Sequence, residues 1–192
     1  MTRWLLVLGM LVGGAATGWV AGHAQDQSDP KTWEPMVITG NQKAPEFVDV
    51  TEWLNTSKPI KWSDLRGKVV VVHFFAFACI NCTRNYPWYK AVTQEYGDKV
   101  AVIGIHTPEL PQEKDVAKLK QKIKEAGLTY PIVVDNNHAN WRAFNNQWWP
   151  STLLIDKKGQ GRYVWNGELA WKGARGETSM RQKIDELLAE RP

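Results

Sequence analysis

Cys79 and Cys82 are the only cysteines in this 192-residue chain, and two residues separate them in the stretch "FACINCTRN". A pair at this spacing suits three kinds of chemistry: a structural disulfide, half of a metal site, or thiol–disulfide exchange. In the chain-entropy account, a disulfide across so short a loop stabilises a fold by about 2 kcal/mol, against about 3 kcal/mol for a loop of about fifteen residues. The short spacing therefore argues against a purely structural role.

Metal or haem binding needs partners that the sequence does not offer at the right spacing. Structural zinc usually takes four protein ligands, and downstream of residue 24 the histidines are His73, His106 and His138, which form no ligand-like pair. Covalent haem attachment needs a histidine directly after the second cysteine, where Thr83 stands. We therefore expect no metal and no cofactor, which leaves thiol–disulfide exchange.

The sequence on either side of the cysteines fits thiol–disulfide exchange. Residues 68–77, "KVVVVHFFAF", form a continuous apolar run that is typical of a strand buried on both faces. From Cys79 onward the pattern is helical, with Trp88, Val92 and Tyr96 at four-residue steps on one face. Cys79 then lies at a helix N-terminus, where free backbone N–H groups and the helix dipole stabilise a thiolate. Cys82, one turn later, is within reach to close the disulfide.

Further along the chain, strands and helices alternate. The patterns predict strands at residues 99–106, 130–135, 150–156 and 162–167, and helices at residues 113–127 and 139–144 and near the C-terminus. The turn sequence "KKGQG" predicts that the last two strands form a hairpin. The order βαβαβαββα indicates an α/β fold with a mixed sheet between helices. Before it, residues 45–55 and 59–68 predict an added N-terminal β-hairpin.

Composition narrows the classes of partner. The formal charge of +4 comes from 24 basic and 20 acidic residues spread along the chain. Such a small, dispersed excess argues against nucleic acid or an anionic membrane surface as the main partner. The chain also has eleven tryptophans, for which we expect core packing, with an apolar docking face as the alternative.

Residues 1–24 have the pattern of an export signal. A basic residue, Arg3, precedes an apolar stretch from Trp4 to Val20, and Gly22 and Ala24 follow at the spacing that a signal peptidase accepts. A span of about 20 residues crosses a membrane, so the segment is predicted either to be cleaved or to remain as a membrane anchor. Residues 25–43 are predicted to be a polar lead-in, and residues 44–192 one domain. The expected location is periplasmic, or outward-facing and anchored to the inner membrane.

Several motifs together resemble the thioredoxin fold. They are the apolar strand, the C-x-x-C at the start of a helix, Pro87 eight residues after the first cysteine, and the Trp-Pro-Ser stretch at residues 149–151. The stretches "WSDLRGKVVVVHF", "IGIHTPELPQEKDV" and "YPIVVDNNHANWRAF" are similar to exported TlpA/ResA-like thiol–disulfide oxidoreductases, and most of all to the thioredoxin-like domain of DipZ-type and NHL-repeat proteins. The resemblance covers residues 44–188. It implies a three-layer sandwich with a mixed central sheet and a central helix–strand insertion.

The resemblance also implies roles for individual residues. Cys79 would be the attacking thiol and Cys82 the resolving thiol, with Pro150 as a cis-proline beside them. Trp149 and Ser151, on either side of that proline, would contact substrate. The implied partners are disulfides of exported proteins, among them apocytochrome c, and a membrane thiol carrier as the electron donor.

Two positions depart from the family pattern. Ala78 precedes the first cysteine, where a tryptophan is usual, so an exposed aromatic contact for substrate is missing. His73 stands six residues before that cysteine, where the family commonly has a buried carboxylate or amide. We consider two roles for His73: a base that takes the proton from Cys82, or a neutral core histidine.

Other side chains have weaker claims to a role. Arg84 is close enough in sequence to favour a thiolate, Glu168 and Glu177 are candidate acidic groups, and the loop from His106 to Glu113 is a candidate wall of a substrate groove. Two other functions are alternatives. A peroxidase is disfavoured because Ala76 stands where a peroxidatic site usually has Thr or Ser, and a non-enzymatic binding module would need only a structural disulfide.

Overall fold

The computed structural model describes residues 21–22 and 29–191. In that part of the chain the strands are β1 (Ala21–Gly22), β2 (Met36–Ile38), β3 (Glu52–Leu54), β4 (Val69–Phe75), β5 (Val100–His106), β6 (Ile132–Val134), β7 (Ser151–Ile155) and β8 (Gly161–Asn166). The helices are α1 (Ile80–Tyr96), α2 (Val116–Ala126), α3 (Ala139–Ala143) and α4 (Gly176–Ala189). From β4 to α4 the predicted element order is confirmed. Apart from β1, the predicted export segment lies outside the described residues.

The eight strands of the described residues form one mixed sheet in the order β1-β2-β8-β7-β4-β5-β6-β3. β4 lies inside the sheet, parallel to β5 and antiparallel to β7. β4 is buried along its whole length, because its side chains alternate between two apolar clusters. Val69, Val71 and Phe75 belong to the cluster on one face, and Val70, Val72 and Phe74 to the cluster on the other.

Helices cover the sheet unequally. α1, α2 and α4 pack on one face, where Val92, Leu119 and Ile184 enter the core. The other face is covered by Phe144, which directly follows α3, and by Trp62 from the segment before β4. These layers confirm the predicted three-layer thioredoxin-like sandwich. None of the helices in the described residues is long and apolar enough to span a membrane.

The added N-terminal hairpin predicted for residues 45–68 is wrong. Only Glu52–Leu54 of this segment is a strand, and it pairs antiparallel with β6 at the sheet edge. Residues 62–65 form a 3₁₀ turn instead of a second strand. Trp62 explains the difference, because its indole donates a hydrogen bond to the Pro45 carbonyl (2.8 Å) and its ring stacks on Phe47. Burying these rings under the sheet outweighs local strand pairing.

Two other predicted supersecondary units are confirmed. α2 and β6 form the helix–strand insertion between β5 and α3. β7 and β8 form the predicted antiparallel hairpin. Its turn is held by Asp156, whose carboxylate accepts hydrogen bonds from the amides of Lys158 and Gln160.

Candidate active site

The two cysteines lie where β4 passes into α1, and they are joined by a disulfide with a Cα–Cα distance of 5.3 Å. Cys79 is the N-cap of α1, and its sulfur accepts a hydrogen bond from the Cys82 amide at 3.3 Å. The sulfur of Cys79 therefore faces the free N–H groups that stabilise an anion at a helix N-terminus. Cys79 is partly exposed, whereas Cys82 is 1% exposed. A partner can reach only the first sulfur easily.

Pro150 lies at the start of β7, and the Trp149–Pro150 peptide bond is cis, as the resemblance implies. The register of β7 against β4 pairs Ser151 with Phe74. Pro150 therefore lies beside the end of β4 from which the chain runs to Cys79. The Pro150 carbonyl accepts a hydrogen bond from the Gly167 amide at 2.8 Å, which ties this turn to the end of β8.

The aromatic side chains before Pro150 differ in what they can contact. Trp149 donates its indole N–H to the Thr107 carbonyl and stacks on Trp141, so it is engaged inside the protein. Trp148 is 58% exposed. Trp148, which with Trp88 and Trp149 is a candidate substitute for the aromatic contact missing at Ala78, therefore offers a more accessible ring to a substrate than Trp149 does. Ser151 is buried, and its hydroxyl donates a hydrogen bond to the Asn146 side chain, so it helps to hold the turn in place.

Exposed apolar side chains on the disulfide turn and on neighbouring segments form an apolar rim. Ala78 is exposed and carries no large side chain, but Ile80 is 62% exposed and Leu110 is 45% exposed. With Trp148 they make three of the six large hydrophobic residues that are exposed in the described part of the chain. All three are on segments that contact the disulfide turn or the cis-proline turn. The predicted loss of an aromatic contact at position 78 is thus offset by apolar surface from neighbouring loops.

Glu113 is a site residue that the sequence reasoning did not identify. Its carboxylate is 1% exposed and accepts a hydrogen bond from the Ala78 amide at 2.8 Å. It also accepts hydrogen bonds from the amides of Glu109 and Leu110. The pattern Leu-Pro-Gln-Glu was a usable local signal, because a glutamate at the third position of a helical turn often caps the amide at its start. The contact with Ala78 has no local signal.

Residues 41–164 match the AhpC/TSA family. The chain belongs to the AhpC/TSA family.

Relatives of this AhpC/TSA-family chain support the predicted resemblance to thioredoxin-like oxidoreductases. This chain is 41% identical over 146 residues to the protein DipZ of Mycobacterium tuberculosis. The match covers 74% of this chain and 21% of DipZ, so the chain spans about a fifth of that relative's length. It is 29% identical over 150 residues to the thiol-disulfide oxidoreductase YkuV of Bacillus subtilis, covering 78% of this chain and 96% of YkuV. A solved thiol-disulfide isomerase of Corynebacterium glutamicum superposes with a TM-score of 0.65 at 29% identity, covering 77% of this chain and 98% of that one.

In this AhpC/TSA-family site, His73 lies in the middle of β4 and is fully buried. Its ring stacks on Tyr89 with a centroid distance of 4.0 Å and meets Tyr130 edge-on. Within residues 29–191 neither ring nitrogen has a hydrogen-bond partner. Burial lowers the pKa of His73 to about 3. The imidazole is therefore neutral at physiological pH and a weak base, and its predicted role as the acceptor of the Cys82 proton stays a prediction.

The charged candidates lie on α1, on the loop after β8 and on α4. Arg84 pairs with Glu168 at 2.8 Å, so its charge is directed to the loop after β8. The next residue, Asn85, holds the same loop by donating to the Gly167 carbonyl and accepting from the Leu169 amide. Glu177 is exposed at the start of α4. Among the described residues no cluster of three or more His, Cys, Asp or Glu could hold a metal ion.

Proposed function

We propose that this protein is a cell-envelope thiol–disulfide oxidoreductase that reduces disulfides of exported proteins. The observation that carries the proposal is the asymmetric pair at the start of α1: a partly exposed Cys79 at the helix N-terminus and a buried Cys82. The family and the named relatives support the reaction class. The apolar stretch within residues 1–24 supports the location.

The reaction starts from the dithiol form. The Cys79 thiolate attacks one sulfur of the substrate disulfide, forms a mixed disulfide and displaces the other substrate sulfur as a thiolate. Cys82 then loses its proton and attacks the Cys79 sulfur. The substrate leaves as a dithiol, and the Cys79–Cys82 disulfide remains. Two electrons have passed to the substrate. A dithiol on a membrane thiol carrier then attacks the Cys79–Cys82 disulfide and supplies two electrons, which restores the dithiol form.

Burial supports this order of attack. A substrate disulfide needs access to the first thiol, and Cys79 is the sulfur with access. Cys82 has only to meet a sulfur already bound to Cys79, so its burial does not hinder the second step. The rim of Ile80, Leu110 and Trp148 supports an unfolded or extended polypeptide as the substrate, because such a chain presents apolar side chains next to its cysteines. Exported proteins whose cysteines must be kept reduced, such as apocytochrome c, fit this class.

Trapping tests the order of attack and the identity of the partners. In the Cys82→Ser variant the second step cannot occur, so a mixed disulfide through Cys79 should accumulate with a polypeptide substrate. The matched control is Cys79→Ser, which should trap far less because its remaining thiol is buried. Equal trapping by the two variants, or trapping by Cys79→Ser alone, would refute the proposed order.

A redox titration tests the direction of electron flow. For a reductant we expect a reduction potential of the Cys79–Cys82 pair of about −270 mV, the value of thioredoxin. A potential of about −120 mV, the value of a strong oxidant, would contradict the proposal. Fractionation of cells that carry the full chain with a C-terminal tag tests the location, and recovery in the cytoplasmic fraction alone would contradict it.

A further inference from the structure

Glu113 connects the loop before α2 to the turn that carries Cys79. Its Oε1 accepts the amide hydrogen of Ala78 at 2.8 Å. Its Oε2 accepts the amide hydrogens of Glu109 and Leu110, each at 2.9 Å. Three backbone donors therefore converge on one buried carboxylate, which is 1% exposed.

No cation shares this carboxylate. No lysine or arginine of residues 29–191 lies within ion-pair distance of Glu113, and its partners are backbone amides. Three N–H donors aimed at its two oxygens fit a carboxylate, which accepts such bonds more strongly than a neutral group does. The full negative charge thus remains beside the turn, in a region shielded from water where charges interact strongly.

We propose that Glu113 is a positioning residue for Cys79, which fixes the peptide before the nucleophile and, through its negative charge, makes the dithiol form more reducing. This inference rests on the proposed function. Two effects carry it. The Ala78 amide is already bonded to Glu113, so it cannot turn toward a Cys79 thiolate. The carboxylate also opposes the positive end of the α1 dipole, which would otherwise stabilise that thiolate.

The effect on the potential follows from which redox state carries the thiolate. A strong oxidant in this fold owes its potential to a stabilised reduced form. A buried negative charge near Cys79 destabilises the thiolate, and the thiolate exists only in the reduced form. The equilibrium therefore shifts toward the disulfide, which means that the dithiol gives up its electrons more readily.

Other charged and titratable groups face the same region. From α1, Tyr86 is buried, and its pKa is raised by burial first, then by Tyr89 and then by the charge of Glu113. From α2, Lys118 lies over the Phe77 ring with its nitrogen 5.7 Å from the centroid. From β5, His106 is buried and neutral, because burial lowers its pKa to about 3. The Arg84 guanidinium is paired with Glu168. Glu113 is the group among these that bonds directly to the turn.

The test compares Glu113→Gln with wild type in two measurements on the intact chain. The first is the pH dependence of alkylation of the reduced protein by iodoacetamide, which reports the thiolate of Cys79. The second is the equilibrium of the pair with glutathione. For Glu113→Gln we expect the alkylation profile to move to lower pH and the equilibrium to shift about tenfold toward the dithiol, or about 30 mV toward a more oxidising potential. An unchanged profile and potential in the folded variant would overturn the inference.

Glu109→Gln is the matched control. Glu109 is exposed on the same loop and contributes only its backbone amide to the cluster, which the substitution retains. It changes the net charge by the same amount, so its profile and potential should equal those of wild type. A shift as large as that of Glu113→Gln would mean that general charge, and not the buried carboxylate, controls the pair, and would overturn the inference.

If Glu113→Gln does not fold, Glu113→Asp carries the test. Aspartate keeps the charge but is too short to keep the Ala78 hydrogen bond in place. We therefore expect slower disulfide exchange and an alkylation profile that moves slightly to lower pH, because the freed Ala78 amide can turn toward the thiolate. Exchange at the wild-type rate would overturn the positioning role. These outcomes can be told apart from a failure of the proposed function. If the wild-type protein exchanges disulfides and the Glu113 variants match it in rate, profile and potential, only this inference is overturned.

Discussion

Trp149 stacks on Trp141 with ring centroids 3.9 Å apart and an interplanar angle of 27°. The stack lies directly before the cis peptide bond at Pro150, and the Trp149 indole also bonds to the Thr107 carbonyl at 2.9 Å. Trp149 therefore joins the turn before β7 to α3 and to the end of β5. Within residues 29–191 the ring of its neighbour Trp148 has neither a stacking partner nor an indole hydrogen bond, and Trp148 is 58% exposed. Of these two adjacent tryptophans, Trp149 therefore supports the site from inside the protein, and Trp148 leaves its ring open to solvent.

The two tryptophans should respond differently to truncation. Trp149→Ala should lower the free energy of unfolding by about 2 kcal/mol, because a partly buried ring loses its stack and its hydrogen bond. Trp148→Ala should change it by less than about 0.5 kcal/mol, as is usual at exposed positions, but should raise the KM for a polypeptide disulfide. Urea unfolding of the oxidised proteins and steady-state reduction of that substrate measure the two effects. Equal loss of stability in both variants would contradict the assignment.

The buried histidines predict how stability depends on pH. The pKa of His73 and of His106 is lowered to about 3 by burial, whereas in the unfolded chain it is about 6.5. Between these values the unfolded state binds more protons, so the free energy of unfolding falls as the pH drops below about 6.5. Each histidine contributes a slope of up to about 1.4 kcal/mol per pH unit. Urea unfolding at several pH values measures this slope.

His73→Phe isolates one of these contributions. Phenylalanine keeps a ring against Tyr89 and removes the titrating group, so the slope should be shallower than in wild type. The control is His138→Asn, because His138 is at positive φ, a conformation that asparagine tolerates, and it is not fully buried. Both variants lose one imidazole, so the comparison separates the fully buried ring of His73 from a ring that is not fully buried. If His73→Phe keeps the wild-type slope, the His73 imidazole titrates alike in the folded and unfolded states.

The same variant tests whether His73 handles a proton in exchange. A neutral imidazole with so low a pKa is a weak base, so the rate of disulfide exchange by His73→Phe should follow the wild-type pH profile from about pH 6 to about pH 9. Stopped-flow fluorescence on the reduced proteins gives these rates. A rate that falls while the profile loses one inflection would instead assign the proton from Cys82 to His73.

Peroxide reduction should be absent. A peroxidatic cysteine usually has a Thr or Ser hydroxyl three residues before it, and the corresponding residue here is Ala76, which is fully buried and carries no donor. Consumption of hydrogen peroxide by the reduced protein should therefore not exceed the uncatalysed rate. The same preparation should reduce a disulfide substrate, which excludes inactive protein. Turnover of peroxide that is lost in Cys79→Ser would contradict this prediction.

The local sequence pattern is sufficient to predict a helix or strand where the residues of that element themselves determine its structure. The unbroken apolar run predicted β4, and the four-residue periodicity predicted α1 with Cys79 at its start. The failures involve distant residues. Glu52–Leu54 is a strand because it pairs with β6, about eighty residues later, and local sequence does not reveal such pairing. Trp62 looked like a strand residue but is held by Pro45 and by stacking on Phe47.

The same limit applied to the site. The C-x-x-C motif and its flanks identified the cysteines, and the resemblance placed Pro150. Glu113 is 35 residues from Ala78 and Glu168 is 84 residues from Arg84, so neither contact could be inferred before the fold was known. Trp148 and Trp149 are alike in sequence, and only the position of Trp141 decides which of them is engaged inside the protein.

The burial of Cys82 has a consequence for the order in which partners are served. In the proposed cycle the electron donor attacks the oxidised pair and the reduced pair attacks the substrate, and in both cases Cys79 is the sulfur within reach. Donor and substrate therefore use the same contact surface and cannot be bound together. Kinetics with the two partners should be of the ping-pong type, and an excess of either one should inhibit by occupying the surface that the other needs.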